Sequence, residues 1–257
     1  MVDYEVQGHV ALITLNRPEA RNAVNGAVAT EMEAAIDALE ADANVWVGVL
    51  RAITTPERPV FCAGADLKEI NSGNGASLNT RKGGFGGFAY RERVKPIIVA
   101  VDGLATAGGC EIVLAADLVV ATTRSSFGLA EVRRNLVAGA GGLYRLPQRI
   151  GTSAAMEVIL TGEPITAERA HQLGLVNRLV APGEAENEAM RLAGQITAAA
   201  PMAVWESRKV VLSSQYETEA DLRRLTNEAM GRVMSSEDLK EGLTAFIEKR
   251  QPNWKGR

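Results

Sequence analysis

Twice in this sequence an apolar segment runs directly into a turn of very small residues that opens a helical pattern. The first turn is Cys62 to Leu67, after Val60-Phe61, and the second is Asp102 to Glu111, after the apolar segment from Ile97 to Val101. Glycine allows close approach to main-chain N–H groups, and a helix start directs unpaired N–H groups outward. Strands that feed helices in this way predict an α/β fold with ligands at the carboxyl ends of the strands.

The two turns together suggest a site for negative charge. Two backbone N–H groups aimed at one oxygen are the minimal construction of an oxyanion hole. Tight packing is the alternative reason for the glycines in both turns. Glu111 either complements the helix dipole or acts as an acid or base, whereas Asp66 is expected to cap its helix rather than to catalyse.

A second carboxylate, Glu131, follows Glu111 by twenty positions. That separation is too long for one helix face, but an intervening strand over Asp117 to Ala121 can return the chain to the same place. The alternative is an ordinary surface residue. The neighbouring Arg133 and Arg134 either pair with Glu131 and lower its pKa or face solvent.

Composition limits the classes of function. A chain of 257 residues with 46% hydrophobic and 23% charged residues is typical of a globular protein with one main domain. A net charge of -3 and a pI near 5.6 indicate no nucleic-acid partner and no attraction to anionic membranes. No apolar run approaches the roughly 20 residues of a membrane span. The two histidines, His9 and His171, exclude a metal site built on several imidazoles, and no metal is expected.

The two cysteines indicate the compartment. Cys62 and Cys110 both lie among small apolar residues, so buried free thiols are expected rather than a disulfide. The first residues carry no basic region followed by an apolar stretch, as a secretory signal would. We expect a reducing, cytoplasmic location.

The rest of the chain predicts connecting structure and a helical end. Residues 71–89 are rich in Gly, Ser and Asn and predict a mobile loop, in which Phe85 and Phe88 either cover a ligand or anchor the loop. A short helix is expected before Pro96, and Thr152 is expected to cap a later helix. From residue 184 onward the apolar spacing is helical, which predicts a core domain over 1–199 and a helical region over 200–257.

These motifs resemble the crotonase superfamily, the enoyl-CoA hydratase and isomerase family, over essentially the whole chain. The segment from Phe61 to Leu67 looks like the family's first oxyanion-hole segment and the segment from Ala107 to Glu111 like its second. The resemblance implies the N–H groups of Ala65 and Gly108 as oxyanion donors. It also implies Glu111 and Glu131 as the two catalytic glutamates.

The same resemblance implies a fold, an assembly and a ligand. The fold is a spiral of repeated ββα units followed by a C-terminal helical trimerisation region, assembled as a homotrimer or as a dimer of trimers. The ligand is an acyl-CoA thioester, in which coenzyme A is carried as part of the substrate, so no separate cofactor is expected. The positions that match the family's CoA contacts are Arg21, Ala23, Ala63, Asp66, Leu67, Phe246 and Lys249. A last helix that packs through Phe246, with Lys249 in solvent, is the alternative for the final pair.

The implied activity is reversible syn hydration of a 2-enoyl-CoA to a 3-hydroxyacyl-CoA. The alternatives are a double-bond isomerase or another acyl-CoA enzyme, such as one similar to carnitinyl-CoA dehydratase, and then an RNA-binding or non-catalytic family member. Two departures from the family pattern lie near the acyl end. Ala138 stands where many hydratases have proline, and Arg133-Arg134-Asn135 replaces a commonly apolar stretch. They leave room for branched, polar or polycyclic acyl groups.

Overall fold

Strands and helices alternate through most of the chain, and helices alone complete it. The structure is a computed structural model that describes residues 1–257. The strands are β1 (Val2–Gln7), β2 (Val10–Leu15), β3 (Val47–Ala52), β4 (Val60–Cys62), β5 (Asn79–Thr80), β6 (Gly84–Phe85), β7 (Ile97–Val101), β8 (Leu104–Thr106), β9 (Leu118–Thr122), β10 (Ser126–Gly128), β11 (Ile165–Thr166) and β12 (Arg178–Val180). The α-helices are α1 (Gly26–Ala41), α2 (Leu67–Asn71), α3 (Gly108–Ala115), α4 (Gly142–Ile150), α5 (Thr152–Thr161), α6 (Ala167–Gln172), α7 (Ala185–Thr197), α8 (Pro201–Ser213), α9 (Glu219–Met234) and α10 (Glu237–Glu248).

The larger sheet has six strands in the order β1-β2-β3-β7-β9-β12. The hairpin β1-β2 is antiparallel, and the remaining neighbours are parallel. Parallel strands need crossover connections, and here a crossover such as α1 covers the sheet. Strand β2 is buried along its whole length, as expected for a strand covered on both faces.

The alternation of side chains along these strands divides the core in two. Ala11, Ile13 and Leu15 of β2 face the main core, in which they join side chains of α1 and α3 and the smaller sheet. Val10 and Leu12 point to the opposite face, where Ala189 and Ala193 of α7 cover them. The two-residue period of the strands therefore requires an apolar partner layer on each side.

The smaller sheet positions the candidate site. Its four strands follow the order β11-β10-β8-β4. The three strands β4, β8 and β10 are parallel, with Val60 and Ser126 both paired to Leu104, and β11 adds an antiparallel edge. Parallel neighbours end at one edge of a sheet, so the segments that follow these three strands meet there.

Three local expectations from the sequence need correction or refinement. The segment 71–89 contains a 3-10 turn (Gly75–Leu78) and the hairpin β5-β6, because Leu78 and Phe88 are buried and tie it to the core. The short helix expected immediately before Pro96 is absent, and residues 91–95 form an irregular connection instead. The Thr152 prediction was wrong, since Gly151 occupies the cap position of α5 without a side-chain bond.

The last three helices extend from the sheets. The Trp205 indole N–H donates to the Trp46 carbonyl at 3.1 Å, and Arg208 pairs with Asp117, so α8 is attached to the core. Ser236 caps α10 by accepting from the Leu239 N–H. None of the helices combines the length and the apolar character that crossing a membrane requires.

Candidate active site

Four of the predicted site residues follow three adjacent parallel strands. Ala65 lies just beyond β4, Gly108 and Glu111 begin the helix after β8, and Glu131 opens a 3-10 turn (Glu131–Arg134) just beyond β10. The registers of β4 and β10 against β8 place all three exits at one edge of the smaller sheet. The sheet topology thus brings together residues that are far apart in the sequence.

The turn after β4 presents a free N–H group. The backbone on either side of Ala65 is bonded to Val24, because the Val24 N–H donates to the Gly64 carbonyl at 2.7 Å and the Asp66 N–H donates to the Val24 carbonyl at 2.8 Å. The Ala65 N–H itself donates to no acceptor in the chain. Gly64 has a φ of +85°, and a Cβ there would lie 2.9 Å from the Gly108 nitrogen. Only glycine lets the two turns approach this closely.

The turn after β8 presents the second N–H group. Gly108 is the first residue of α3, where helical N–H groups lack an intrahelical acceptor, and Ala107 caps the helix without a side-chain bond. Ala107 has φ 51° and ψ −131°, a conformation that costs a non-glycine residue about 1–3 kcal/mol. Its N–H donates to the Gly128 carbonyl at 2.9 Å, which holds the strained residue in place. Strain of this kind at a helix start is typical of a functional turn.

Glu111 is a buried carboxylate held by the backbone. Its side chain is 3% exposed, and Oε1 accepts from the N–H groups of Ala140 at 2.7 Å and Gly142 at 2.9 Å. The pKa of Glu111 is raised to about 7, chiefly by burial and also by the charge of Glu131, against the N–H groups of Gly142 and Ala140 and against Arg145, which lower it. A carboxylate with a pKa near neutrality is suited to general acid-base chemistry.

Glu131 differs from Glu111 in its hydrogen bonds. Its Oε2 is buried and has no hydrogen-bond partner in the protein. Burial raises the pKa of Glu131, while Arg134 opposes the shift. Arg133 does not pair with it, because that guanidinium binds Glu163 and donates to the Thr161 carbonyl at 3.0 Å. An unpartnered carboxyl oxygen favours the neutral acid.

The glycine-rich segment 83–90 forms one side of the site. The Phe85 ring lies directly against Gly108, where a Cβ would overlap it. Phe88 is fully buried, with the Arg93 guanidinium 5.0 Å from its ring centre. The sequence suggested that these two rings either cover a ligand or anchor the segment. Phe88 anchors the segment, whereas Phe85 lies where it can contact a ligand at the Gly108 N–H.

Five of the residues matched to CoA contacts lie together. The Ala63 N–H donates to the Arg21 carbonyl at 3.1 Å, and one Arg17 guanidinium nitrogen donates both to the Ala23 carbonyl at 3.0 Å and to Asp66 at 2.8 Å. Asp66 also caps α2 through the Lys68 N–H, as predicted, and the neighbouring Leu67 is exposed. Arg17 holds the pKa of Asp66 below its ordinary value. This group lies beside the Ala65 N–H.

The other two residues matched to CoA contacts lie apart from this group. Phe246 is 84% exposed on α10, and Lys249 is the left-handed residue that ends the helix. No hydrogen bond or ion pair joins either residue to the group around Asp66. The alternative in which α10 packs through Phe246 is therefore wrong for the isolated chain, because that ring faces solvent.

Comparisons with known proteins identify the family of this chain. The sequence profile of the family described as enoyl-CoA hydratase/isomerase matches residues 5–257. The chain belongs to the enoyl-CoA hydratase/isomerase family. A short-chain-enoyl-CoA hydratase of Clostridium acetobutylicum is 37% identical, over 96% of this chain and 94% of that protein. A carnitinyl-CoA dehydratase of Proteus mirabilis is 35% identical over 98% and 97%.

The fold prediction is confirmed by a solved structure of this family. An enoyl-CoA hydratase from Mycobacterium tuberculosis superposes with a TM-score of 0.94 at 44% sequence identity, covering 100% of this chain and 99% of that chain. The α/β architecture with its C-terminal helices is therefore that of the crotonase superfamily. No group of three or more His, Cys, Asp and Glu side chains is arranged to hold a metal ion.

Several residues of the site were missed by sequence reasoning. In the glycine-rich run before α4, the N–H groups of Ala140 and Gly142 hold Glu111, a role that the sequence did not predict. Tyr90 and Arg145, which bind the same turn, were not singled out. A run of glycines before a helix was the available signal, but nothing in its spacing indicates which carboxylate it binds.

Proposed function

We propose that this protein is an enoyl-CoA hydratase, a hydro-lyase that adds water reversibly and syn across the 2,3 double bond of a 2-enoyl-CoA. The observation that supports it best is the convergence of two free N–H groups and two carboxylates at one sheet edge. Membership of the family and the names of its relatives agree with this activity.

The proposed mechanism assigns each group a task. The Glu111 carboxylate removes a proton from water as the water oxygen bonds to the β-carbon, and the electron pair of the double bond moves toward the thioester oxygen. The N–H groups of Ala65 and Gly108 stabilise the resulting enolate oxygen. Removing one donor of this kind typically costs about 3 kcal/mol in the barrier.

The second half of the reaction uses the neutral carboxyl group. Glu131 gives its proton to the α-carbon, and the roles of the two glutamates reverse in dehydration. The hydrogen bonds from Ala140 and Gly142 favour the charged form of Glu111, whereas the partnerless Oε2 of Glu131 favours the protonated form. Burial raises the pKa of both glutamates, and the two N–H donors that Glu111 has and Glu131 lacks support Glu111 as the base and Glu131 as the acid for hydration.

The CoA moiety is proposed to bind beside the Ala65 turn. Arg21, Ala23, Ala63, Asp66 and Leu67 would contact its nucleotide end from one subunit. Because Phe246 and Lys249 lie apart from this group, their proposed contacts require a neighbouring subunit. Coenzyme A enters and leaves as part of the substrate, and no separate cofactor is proposed.

The proposed assembly is a homotrimer or a dimer of trimers, with a core domain over 1–199 and a trimerisation region over 200–257. Apolar side chains that are exposed on the last three helices support it: Val211, Met230, Met234, Leu243, Phe246 and Ile247. The proposed location is the cytoplasm, which is consistent with the two buried free thiols of Cys62 and Cys110.

Crotonyl-CoA hydration, followed by the loss of enone absorbance, tests the activity. General acid-base catalysis contributes about 10² to 10⁴ per group, so Glu111→Gln and Glu131→Gln should each lose activity on that scale. Undiminished turnover in both variants would contradict the assignment.

Supplying a 3-enoyl-CoA and measuring 2-enoyl product separates an isomerase, which needs chiefly one carboxylate, from the hydratase. A screen of enoyl-CoA esters with polar or bulky acyl groups tests the effect of Arg133-Arg134-Asn135.

A further inference from the structure

The turn that holds Glu111 is built from residues with little rigidity of their own. Residues 139–142 read Gly-Ala-Gly-Gly, and Gly141 has a φ of +107°. Such a segment loses much conformational entropy when it is ordered. Its two N–H groups nevertheless lie 2.7 and 2.9 Å from one oxygen of Glu111. Other contacts must hold the turn.

Two side chains bind the carbonyl groups of this turn. The Tyr90 hydroxyl donates to the Gly139 carbonyl at 2.6 Å, and an Arg145 guanidinium nitrogen donates to the Ala140 carbonyl at 3.1 Å. The guanidinium also lies 5.5 Å from the centre of the Tyr90 ring. The turn is thus held through its carbonyls on one side while its N–H groups hold Glu111 on the other.

The placement of these two side chains indicates an indirect role. Tyr90 and Arg145 both line a cavity of about 860 Å³ bordered by residues of α3, α4 and α8. Neither Glu111 nor Glu131 lines that cavity. Arg145 forms no ion pair with a carboxylate, so its bond to the turn is not a by-product of a salt bridge.

From this geometry we infer that Tyr90 and Arg145 are positioning residues for Glu111, acting through the carbonyls of Gly139 and Ala140. The inference rests on the proposed function, since it assigns Glu111 the role of base. Tyr90 belongs to the segment after β6, where its N–H donates to the Gly83 carbonyl at 2.8 Å. The same segment carries Phe85, so one piece of chain both contacts the oxyanion turn and holds the base.

The pH dependence of hydration distinguishes this role from a structural one. The titratable and charged groups that act on Glu111 are Glu131, Arg145, Tyr90 and Cys110. The pKa of the Tyr90 phenol is raised by burial, so it is neutral near pH 7, and Tyr90→Phe changes no charge there. Hydrogen bonds from N–H groups favour ionised Glu111, and loosening them raises its pKa.

The test compares three variants of the full-length protein in crotonyl-CoA hydration. Tyr90→Phe and Arg145→Lys should each lower kcat about tenfold with KM changed less than about threefold, because a misplaced base affects chemistry more than binding. The acid limb of the kcat profile, which lies near the Glu111 pKa of about 7, should move to higher pH in Tyr90→Phe by about 0.5 unit or more.

Tyr216→Phe is the control. Tyr216 lines the same cavity and is 68% exposed, but its hydroxyl forms no hydrogen bond with the turn. Tyr216→Phe should keep kcat within about twofold and leave the acid limb of the profile unmoved. Equal effects of Tyr90→Phe and Tyr216→Phe, or a Tyr90→Phe enzyme with unchanged kcat and an unchanged acid limb, would overturn the inference.

The outcomes also separate this inference from the proposed function. If wild-type protein hydrates crotonyl-CoA and Glu111→Gln removes the activity, an unaltered Tyr90→Phe profile refutes the positioning role alone. If Glu111→Gln keeps full activity, the proposed function itself fails. Far-ultraviolet circular dichroism of each variant checks the fold, and a normal spectrum with an altered limb supports positioning.

Discussion

Replacing Glu111 with glutamine is predicted to stabilise the protein while removing its activity. Glu111 is 3% exposed, and burial raises its pKa from 4.5 to about 7. The folded protein therefore binds more protons than the unfolded chain between these pKa values. Its free energy of unfolding falls as the pH rises through that window and levels off above about 7.

The expected magnitude follows from the shift. Linkage gives a cost of about 3 kcal/mol at pH 8.5 and about 1 kcal/mol at pH 5.5 for keeping this carboxylate buried. The glutamine oxygen can still accept from the N–H groups of Ala140 and Gly142, and the preference of these groups for the charged carboxylate is already contained in the pKa of about 7. Glu111→Gln should therefore gain about 3 kcal/mol at pH 8.5 and about 1 kcal/mol at pH 5.5.

Urea denaturation at the two pH values and one fixed protein concentration measures this difference. Glu241→Gln is a control of opposite sign, because Arg250 lowers the pKa of Glu241 to about 2 and its carboxylate is favourable in the folded protein. That variant should gain no stability at pH 8.5. A Glu111→Gln protein that is less stable than wild type at pH 8.5, or a gain that is equal at both pH values, would refute the electrostatic reasoning.

Three further substitutions test particular contacts. Ala107→Gly should raise the free energy of unfolding by about 1 kcal/mol and keep activity within a few-fold, because glycine adopts φ 51° freely; a loss of stability in denaturation would contradict this. Gly108→Val should abolish hydration while circular dichroism stays native-like, since its side chain would displace the Phe85 ring; a fully active variant would make this turn a packing element only. Lys95→Met should cost about 2 kcal/mol, because Nζ donates to the carbonyls of Leu39, Glu40 and Asp42 at the end of α1, and unchanged urea midpoints would exclude that capping role.

Local chemistry explains which features could be predicted from the sequence. The small residues after Phe61 and after Val101 indicated two strand-to-helix turns. Asp66 caps the helix after the first turn, as predicted, whereas the second segment contains the strand β8 (Leu104–Thr106) before α3 begins. Periodicity predicted helices from residue 184 onward, where α7 to α10 lie. The spiral arrangement came from the resemblance to a family, since local patterns do not encode which strands pair.

The long-range contacts of the site could not be predicted from the sequence. Glu111 meets its N–H donors 29 and 31 positions away, and Tyr90 reaches Gly139 across 49 positions. Such pairs depend on the order of strands in the sheet and on backbone N–H groups that every residue carries. The helix expected before Pro96 failed for a related reason, because Lys95 is drawn to the end of α1 and Arg93 to the Ala115 carbonyl.

Hydration of crotonyl-CoA in deuterium oxide tests the central claim most directly. Two carboxylates at one edge of the smaller sheet, acting on a substrate held by the N–H groups of Ala65 and Gly108, should deliver water and proton to the same face of the double bond. The predicted 3-hydroxyacyl-CoA carries one deuterium at the α-carbon, syn to the new oxygen, and NMR of the product shows a single diastereomer. An anti product, a mixture of the two, or no hydration at all would contradict this account.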